Sequence, residues 1–85
     1  MNAHITISVY GATKLLVARE NEDRATDFLV PTYSTSREAF AIEGVEVVLI
    51  HLYSTSPMSL GELATGLESV GFSVTSTGQA HLDPQ

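Results

Sequence analysis

The feature that most constrains the fold is an apolar run of nine residues, from Val45 to Tyr53, which only Glu46 and His51 interrupt. Such a run is typical of a strand that is covered on both faces, or covered on one face and by a partner on the other. The sequence therefore predicts a sheet with residues 45–53 at its centre.

Two further segments show the alternation of a half-buried strand. In residues 4–10, Ile5, Ile7 and Val9 alternate with polar residues. Residues 72–76 repeat the pattern with Phe72 and Val74 and are expected to form the last strand.

The segment between these strands is less regular. Residues 11–13 predict a turn, and residues 14–19 are expected to form the returning strand, with the first turns of a helix as the alternative. Residues 20–24 are polar and predict a loop. Residues 27–30 are again apolar, and Pro31 confines them to a sheet edge or a strand end.

The tetrapeptide Tyr-Ser-Thr-Ser occurs twice, at residues 33–36 and 53–56. Each copy follows an apolar run and leads towards a helix-start signal. The repetition predicts two equivalent strand-to-helix joints.

At the first joint, residues 35–38 fit a capping box, which predicts a short helix from about Ser36 to Glu43. Gly44 would close this helix in the left-handed conformation. The alternative is a hairpin through Glu43 and Gly44, because apolar residues alternate on both sides of this pair: Phe40, Ile42, Val45 and Val47.

At the second joint, Pro57 and the capping box of residues 59–62 predict a longer helix. Its apolar residues share one face: Leu60, Leu63, Leu67 and Val70. Gly71 is expected to end this helix, with Phe72 folding back on Leu67.

These elements predict a single two-layer α+β sandwich, with one sheet of four or five mainly antiparallel strands, one long helix and one short helix. A ferredoxin-like βαββαβ order is the alternative, and it requires residues 13–27 to form the first helix. The length fits one domain at residues 1–78, followed by a mobile C-terminal tail at residues 79–85.

Charge is unevenly distributed along the chain. The net charge is −6, and residues 38–85 carry six acidic residues without any Lys or Arg. Such a surface repels nucleic acid and anionic membranes, so we expect neither as a direct partner. It favours cationic protein surfaces, including the basic grooves of proteins that handle nucleic acid.

The sequence offers little for catalysis. It contains no cysteine and no nucleophile-elbow, phosphate-loop or zinc-protease motif, and His4, His51 and His81 lack the spacing of metal ligands. We therefore expect no enzyme activity, no metal and no cofactor. The N-terminal residues lack a signal-peptide pattern, and a soluble cytoplasmic protein is expected.

The sequence thus predicts a small acidic protein that binds and regulates a larger protein with a basic surface. By analogy with other small acidic proteins, it would be an inhibitor of a nucleic-acid-handling complex, of phage or mobile-element type. The predicted partner-binding residues are four acids and two aromatic anchors: Glu43, Glu46, Glu62, Glu68, Tyr33 and Tyr53.

Two alternatives remain open. One is a small-ligand or minor enzymatic domain with a pocket near His51 and Tyr53. The other is a homo-oligomer that assembles through the exposed face of the sheet.

Overall fold

The computed structural model describes residues 1–7 and 12–78. The predictions for residues 8–11 and for the tail at residues 79–85 lie outside the described residues. In chain order, the elements are β1 Asn2–Ile7, β2 Thr13–Ala18, a 3₁₀ turn at Arg19–Asn21, α1 Glu22–Leu29, β3 Ser34–Ile42, β4 Val45–Tyr53, α2 Leu60–Ser69 and β5 Ser73–Gly78.

The five strands form one sheet in the order β3-β4-β2-β1-β5. Three of the four pairings are antiparallel, and β1 with β5 is the parallel pair. The predicted sheet is confirmed, but β2 rather than β4 lies at its centre. The ferredoxin-like alternative is wrong, because residues 13–18 form this central strand instead of a helix.

Both described helices pack on one face of the sheet, which makes the two-layer sandwich that the sequence predicts. Strand residues that alternate towards the helices are buried with side chains from α1 and α2. The largest fully buried side chains are Ile5, Leu15, Val17, Leu29, Val48, Ile50, Leu63 and Leu67.

Helix α2 is confirmed in its residues, its start and its end. The Ser59 hydroxyl accepts a hydrogen bond from the Glu62 amide, and the Glu62 carboxylate accepts one from the Ser59 amide. At the other end, the Phe72 amide donates to the Leu67 carbonyl across Gly71, which has φ +104°. These bonds form the expected Schellman motif.

Helix α1 corrects the prediction for residues 20–30, which expected a loop and a strand end. Ala25 and Leu29 are four residues apart and both are fully buried, as one face of a helix requires. The helix ends where Pro31 follows, since Pro lacks the amide that a further turn needs.

The contact between the two helices depends on a glycine. A Cβ atom at Gly66 of α2 would lie only 2.2 Å from Cζ of Phe28 in α1. The absence of a side chain at Gly66 therefore lets the Phe28 ring lie directly against α2.

The predicted helix at residues 36–43 is wrong, and the hairpin alternative is correct. Strands β3 and β4 pair in continuous register from Ser34 with Tyr53 to Ile42 with Val45. Glu43 and Gly44 connect them with φ values of +51° and +83°, as a two-residue type I′ turn requires. The pairing of β3 with β4 outweighs the local preference of residues 35–38 for a helix start.

The two Tyr-Ser-Thr-Ser segments are not equivalent joints. Ser34 to Ser36 lie in β3, whereas Ser54 to Ser56 follow β4 and lead to α2. Ser34 faces Tyr53 across the hairpin, so the two segments are neighbours with opposite chain directions.

Candidate interaction surface

The face of the sheet opposite the helices is the open face, and β4 runs along it. The strand register places Val47, Leu49, His51 and Tyr53 on this face, because their neighbours Val48, Ile50 and Leu52 point into the core. Among the described residues, no helix covers this side. The helices therefore cover β4 on one face only, although its sequence is apolar on both.

The end of the hairpin carries an apolar cluster on the open face, which we call the hairpin patch: Phe40, Ile42, Val45 and Val47. The register pairs Phe40 with Val47 and Ile42 with Val45, so the four side chains form a compact group. Phe40, Ile42 and Val45 remain 41%, 44% and 57% exposed. Large apolar side chains this exposed in one cluster favour contact with another molecule.

Most of the exposed large apolar side chains of the described chain lie on the hairpin. The described chain has six large apolar residues that are clearly exposed, and four of them lie on β3 and β4: Phe40, Ile42, Val45 and Tyr53. The other two, Met1 and Val30, lie on different elements. The hairpin therefore concentrates the exposed apolar surface.

Acidic residues flank the hairpin patch. Glu43 lies in the turn, whereas Glu46 alternates with Val45 and Val47 on β4 and therefore lies on the opposite face, where its carboxylate is 3.9 Å from the guanidinium of Arg19. Glu38 lies on the open face, with Oε1 3.5 Å from Nε2 of His51. The patch thus combines an apolar centre with a mainly negative edge.

The turn holds Glu43 in an unusual backbone conformation. Its φ of +51° is left-handed, a region that Gly, Asn and Asp adopt far more readily than Glu. Residues in such conformations are concentrated at functional sites. The conformation fixes the direction of one predicted partner-binding acid at the tip of the hairpin.

The structure does not bring all four predicted acids together. Glu62 and Glu68 lie on α2, which packs at the β5 side of the sheet, whereas Glu43 and Glu46 lie at the β3 edge. Glu62 also has a structural role in the capping box. The acids therefore belong to separate surfaces.

The two predicted aromatic anchors differ in the same way. Tyr33 is only 6% exposed, and its hydroxyl accepts a hydrogen bond of 3.0 Å from the Met58 amide. It belongs to the core, which corrects its prediction as a surface anchor. Tyr53 is 56% exposed on the open face.

An ion pair attaches the hairpin to the helical layer. The Arg37 guanidinium donates to both carboxylate oxygens of Glu22 in α1, at 2.5 and 2.9 Å. These hydrogen bonds lower the pKa of Glu22, against the opposing effect of partial burial, and they raise the pKa of Arg37. Arg37 is therefore directed to its own chain rather than to a partner.

A depression of about 710 Å³ lies beside Tyr53 and is lined by residues of 30–34 and 52–55. Its lining includes Tyr53 but not His51, so this depression is not a pocket shared by the two residues of the predicted ligand site. Within residues 1–7 and 12–78, there is no group of three or more His, Cys, Asp or Glu that could hold a metal ion. His81 lies outside these ranges.

The apolar residues of the hairpin patch are visible in the sequence, but their position on the open face is not. Phe40, Ile42, Val45 and Val47 alternate symmetrically about residues 43 and 44. Alternation alone does not show which face the helices cover, so only the tertiary structure reveals that Phe40, Ile42 and Val45 are exposed while Val47 is 9% exposed and buried.

Comparison of the chain with protein-family models, with curated proteins and with solved structures gives no match. No helix in the described part of the chain has the length and apolar character needed to cross a membrane.

Proposed function

We propose that this chain is a non-enzymatic protein-binding domain that docks the open face of the β3–β4 hairpin on a larger protein. The observation that supports this proposal is the hairpin patch, where exposed apolar side chains cluster at one edge of the sheet. Fully burying one such side chain contributes roughly 1.5–3 kcal/mol, so a partner that covers several of them gains affinity.

The acids around the patch define the chemistry of the partner. A complementary surface has an apolar site for Phe40 and Ile42, with Lys or Arg side chains positioned to meet Glu43 at the tip and Glu38 on the open face. Tyr53 extends the contact along β4, since exposed Tyr side chains are frequent anchors in interfaces. The acids of α2 lie outside this contact.

The net charge of −6 supports a more specific class of partner. Basic grooves that bind the phosphate backbone present such cationic surfaces, and a small acidic domain docked there would exclude nucleic acid. We therefore propose that the domain inhibits a nucleic-acid-handling complex, in the manner of phage or mobile-element regulators. The cysteine-free sequence fits action in the reducing cytoplasm.

The test is affinity capture from source cells with the full chain as bait. The first variant is Phe40→Ala with Ile42→Ala, and the second is Glu38→Lys with Glu43→Lys. Both are expected to reduce recovery of the same stoichiometric partner by at least about tenfold, which corresponds to roughly 1.4 kcal/mol. Higher salt should weaken capture by the wild type.

The matched control is Asp27→Lys with Glu68→Lys, which makes the same charge change on exposed positions of the two helices. This variant is expected to retain the partner. Equal losses in both charge variants would show that overall charge determines binding, and would contradict a site on the hairpin. Circular dichroism and thermal unfolding must show that all variants remain folded.

A further inference from the structure

Strand β3 lies at the edge of the sheet, and its outer side is unpaired in the described structure. It is nine residues long, and every one of its residues is exposed. The described strands place only β4 beside it. An edge strand of this length is a template for pairing with another strand.

The hairpin turn identifies which backbone groups point outwards. Ile42 and Val45 flank the two-residue turn, so their N–H and C=O groups bond to each other across the hairpin. Every second residue of β3 therefore bonds to β4. The intervening residues direct their N–H and C=O groups away from the sheet: Thr35, Arg37, Ala39 and Ala41.

The usual protections of an edge strand are missing from β3. Its sequence contains neither Lys nor Pro, and its pairing with β4 is continuous from Ser34 to Ile42 without a bulge. Its two charged side chains are directed to the same chain: Arg37 is held against Glu22 of α1, and Glu38 lies 3.5 Å from His51 of β4. Neither side chain therefore lies across the outer edge that an incoming strand would pair with.

We infer that β3 pairs with β3 of a second copy of this chain, antiparallel and centred on Ala39, to form a symmetric dimer with a continuous ten-stranded sheet. The twofold axis is perpendicular to the sheet, so both helical layers lie on the same side. This inference rests on backbone groups of the edge and does not depend on the proposed docking function.

Charges on β3 select this register. Centring the pair on Arg37 or Glu38 would place two like charges directly opposite each other, which is unfavourable. Among registers without this repulsion, centring on Ala39 gives the longest overlap, from residue 36 to residue 42. About six backbone hydrogen bonds then form, through Ala39 with its copy and through Arg37 with Ala41 of the second copy.

The side chains around the axis are compatible with this arrangement. Two Ala39 methyl groups meet at the axis, on the same side of the sheet as the helices. On the open face, the dimer places the two hairpin patches side by side.

The first test is sedimentation equilibrium of the wild-type chain over a range of concentration and salt. Each copy carries a net charge of −6, so the two copies repel each other and added salt should strengthen the dimer. Docking to a basic partner responds to salt in the opposite direction. A chain that stays monomeric at its highest soluble concentration would overturn the inference, even if a partner binds the hairpin.

The second test uses the absence of cysteine from the sequence. In this register, the two Ala39 Cα atoms lie about 5.5 Å apart, which is within the range of a disulfide. The two Ala41 Cα atoms are separated by about 13 Å along the strands. Ala39→Cys should therefore oxidise rapidly to a covalent dimer, whereas Ala41→Cys, on the same side of β3, should not.

Any other pattern of cross-linking overturns the inference. Equal rates for the two variants indicate random collision, and faster cross-linking of Ala41→Cys indicates a different interface. An edge that pairs only with an extended segment of another protein leaves both variants reduced. Each oxidation is compared with the reduced protein by circular dichroism, so that unfolding is recognised separately.

Discussion

Helix α2 and the β3–β4 hairpin both carry a row of apolar side chains, but the two rows differ in how far the chain buries them. Leu63 and Leu67 are buried against the sheet, whereas Phe40 and Ile42 are more than two-fifths exposed. Helix α2 is also capped at both ends. Similar residue types therefore support folding in one region and offer a surface for association in the other.

The largest difference in folding stability is expected when the same type of truncation is made in both regions. Leu67→Ala should lower the free energy of unfolding by about 2–5 kcal/mol, because it leaves a cavity in the core. Ile42→Ala should change it by no more than about 0.5 kcal/mol. Urea unfolding of both variants measures the difference, and similar losses would show that Ile42 belongs to the intramolecular core.

A second comparison concerns two serines. Ser59→Ala removes the acceptor for the Glu62 amide and should cost about 1 kcal/mol of folding stability. Ser36→Ala changes an exposed residue of β3 and should cost less than about 0.5 kcal/mol. Thermal unfolding distinguishes them, and equal costs would mean that Ser36, like Ser59, makes a stabilising contact within the chain.

A smaller effect is expected from the turn, where Glu43 has φ +51°. Glu43→Asn should stabilise the fold by about 0.5–1 kcal/mol, because Asn adopts the left-handed region more readily. The same variant should weaken partner binding, since it removes a charge from the tip. Glu46→Gln is the control for charge loss, and a similar stabilisation of this control would contradict the role of backbone conformation.

The smallest effect concerns the ion pair between the hairpin and α1. The pKa of Glu22 is lowered from its ordinary value of 4.5 in the folded protein, so its contribution to stability is present above that value. It is lost as the pH falls through the lower, folded pKa. The effect is modest because Arg37 is about half exposed and the pair is partly screened by solvent.

Acid unfolding monitored by circular dichroism measures this contribution. Glu22→Gln should be less stable than the wild type at neutral pH, and the difference should shrink below about pH 4.5 as the wild-type carboxylate becomes protonated. The exposed Glu20→Gln is the control. A difference that persists unchanged at low pH would show that the effect of the variant does not arise from the ion pair.

Much of the fold was predictable because its strongest patterns agree with its packing. The strands β1, β2, β4 and β5 follow apolar alternation or continuous apolar runs. Helix α2 adds capping signals at both ends, which act locally and therefore appear in the sequence.

The two incorrect predictions of secondary structure have a common physical cause. The pattern at residues 35–38 favours a helix start, but pairing with β4 outweighs this local preference. Helix α1 is short and polar, and Asn21 before it makes no side-chain capping bond. The apolar face formed by Ala25 and Leu29 is recognisable only once the sheet against which it packs is known.

The candidate site was predicted in part. Glu43 lies beside the hairpin patch, but Glu46 points to the opposite face of β4, Tyr53 lies at the far end of that strand, and the acids of α2 lie elsewhere. Tyr33 was misjudged because its hydroxyl finds a partner inside the protein, at the Met58 amide. The apolar centre of the patch was missed because a sequence does not show which side of a sheet its helices cover.

The parallel pairing of β1 with β5 has a consequence for synthesis of the chain. Of the five described strands, β1 is synthesised first, but its neighbour on one side, β5, is synthesised last. The hydrogen bonds along that edge of β1 cannot form until β5 has been made. Folding of this domain therefore depends on contacts distant in sequence, and we expect it to be completed only after β5 has left the ribosome.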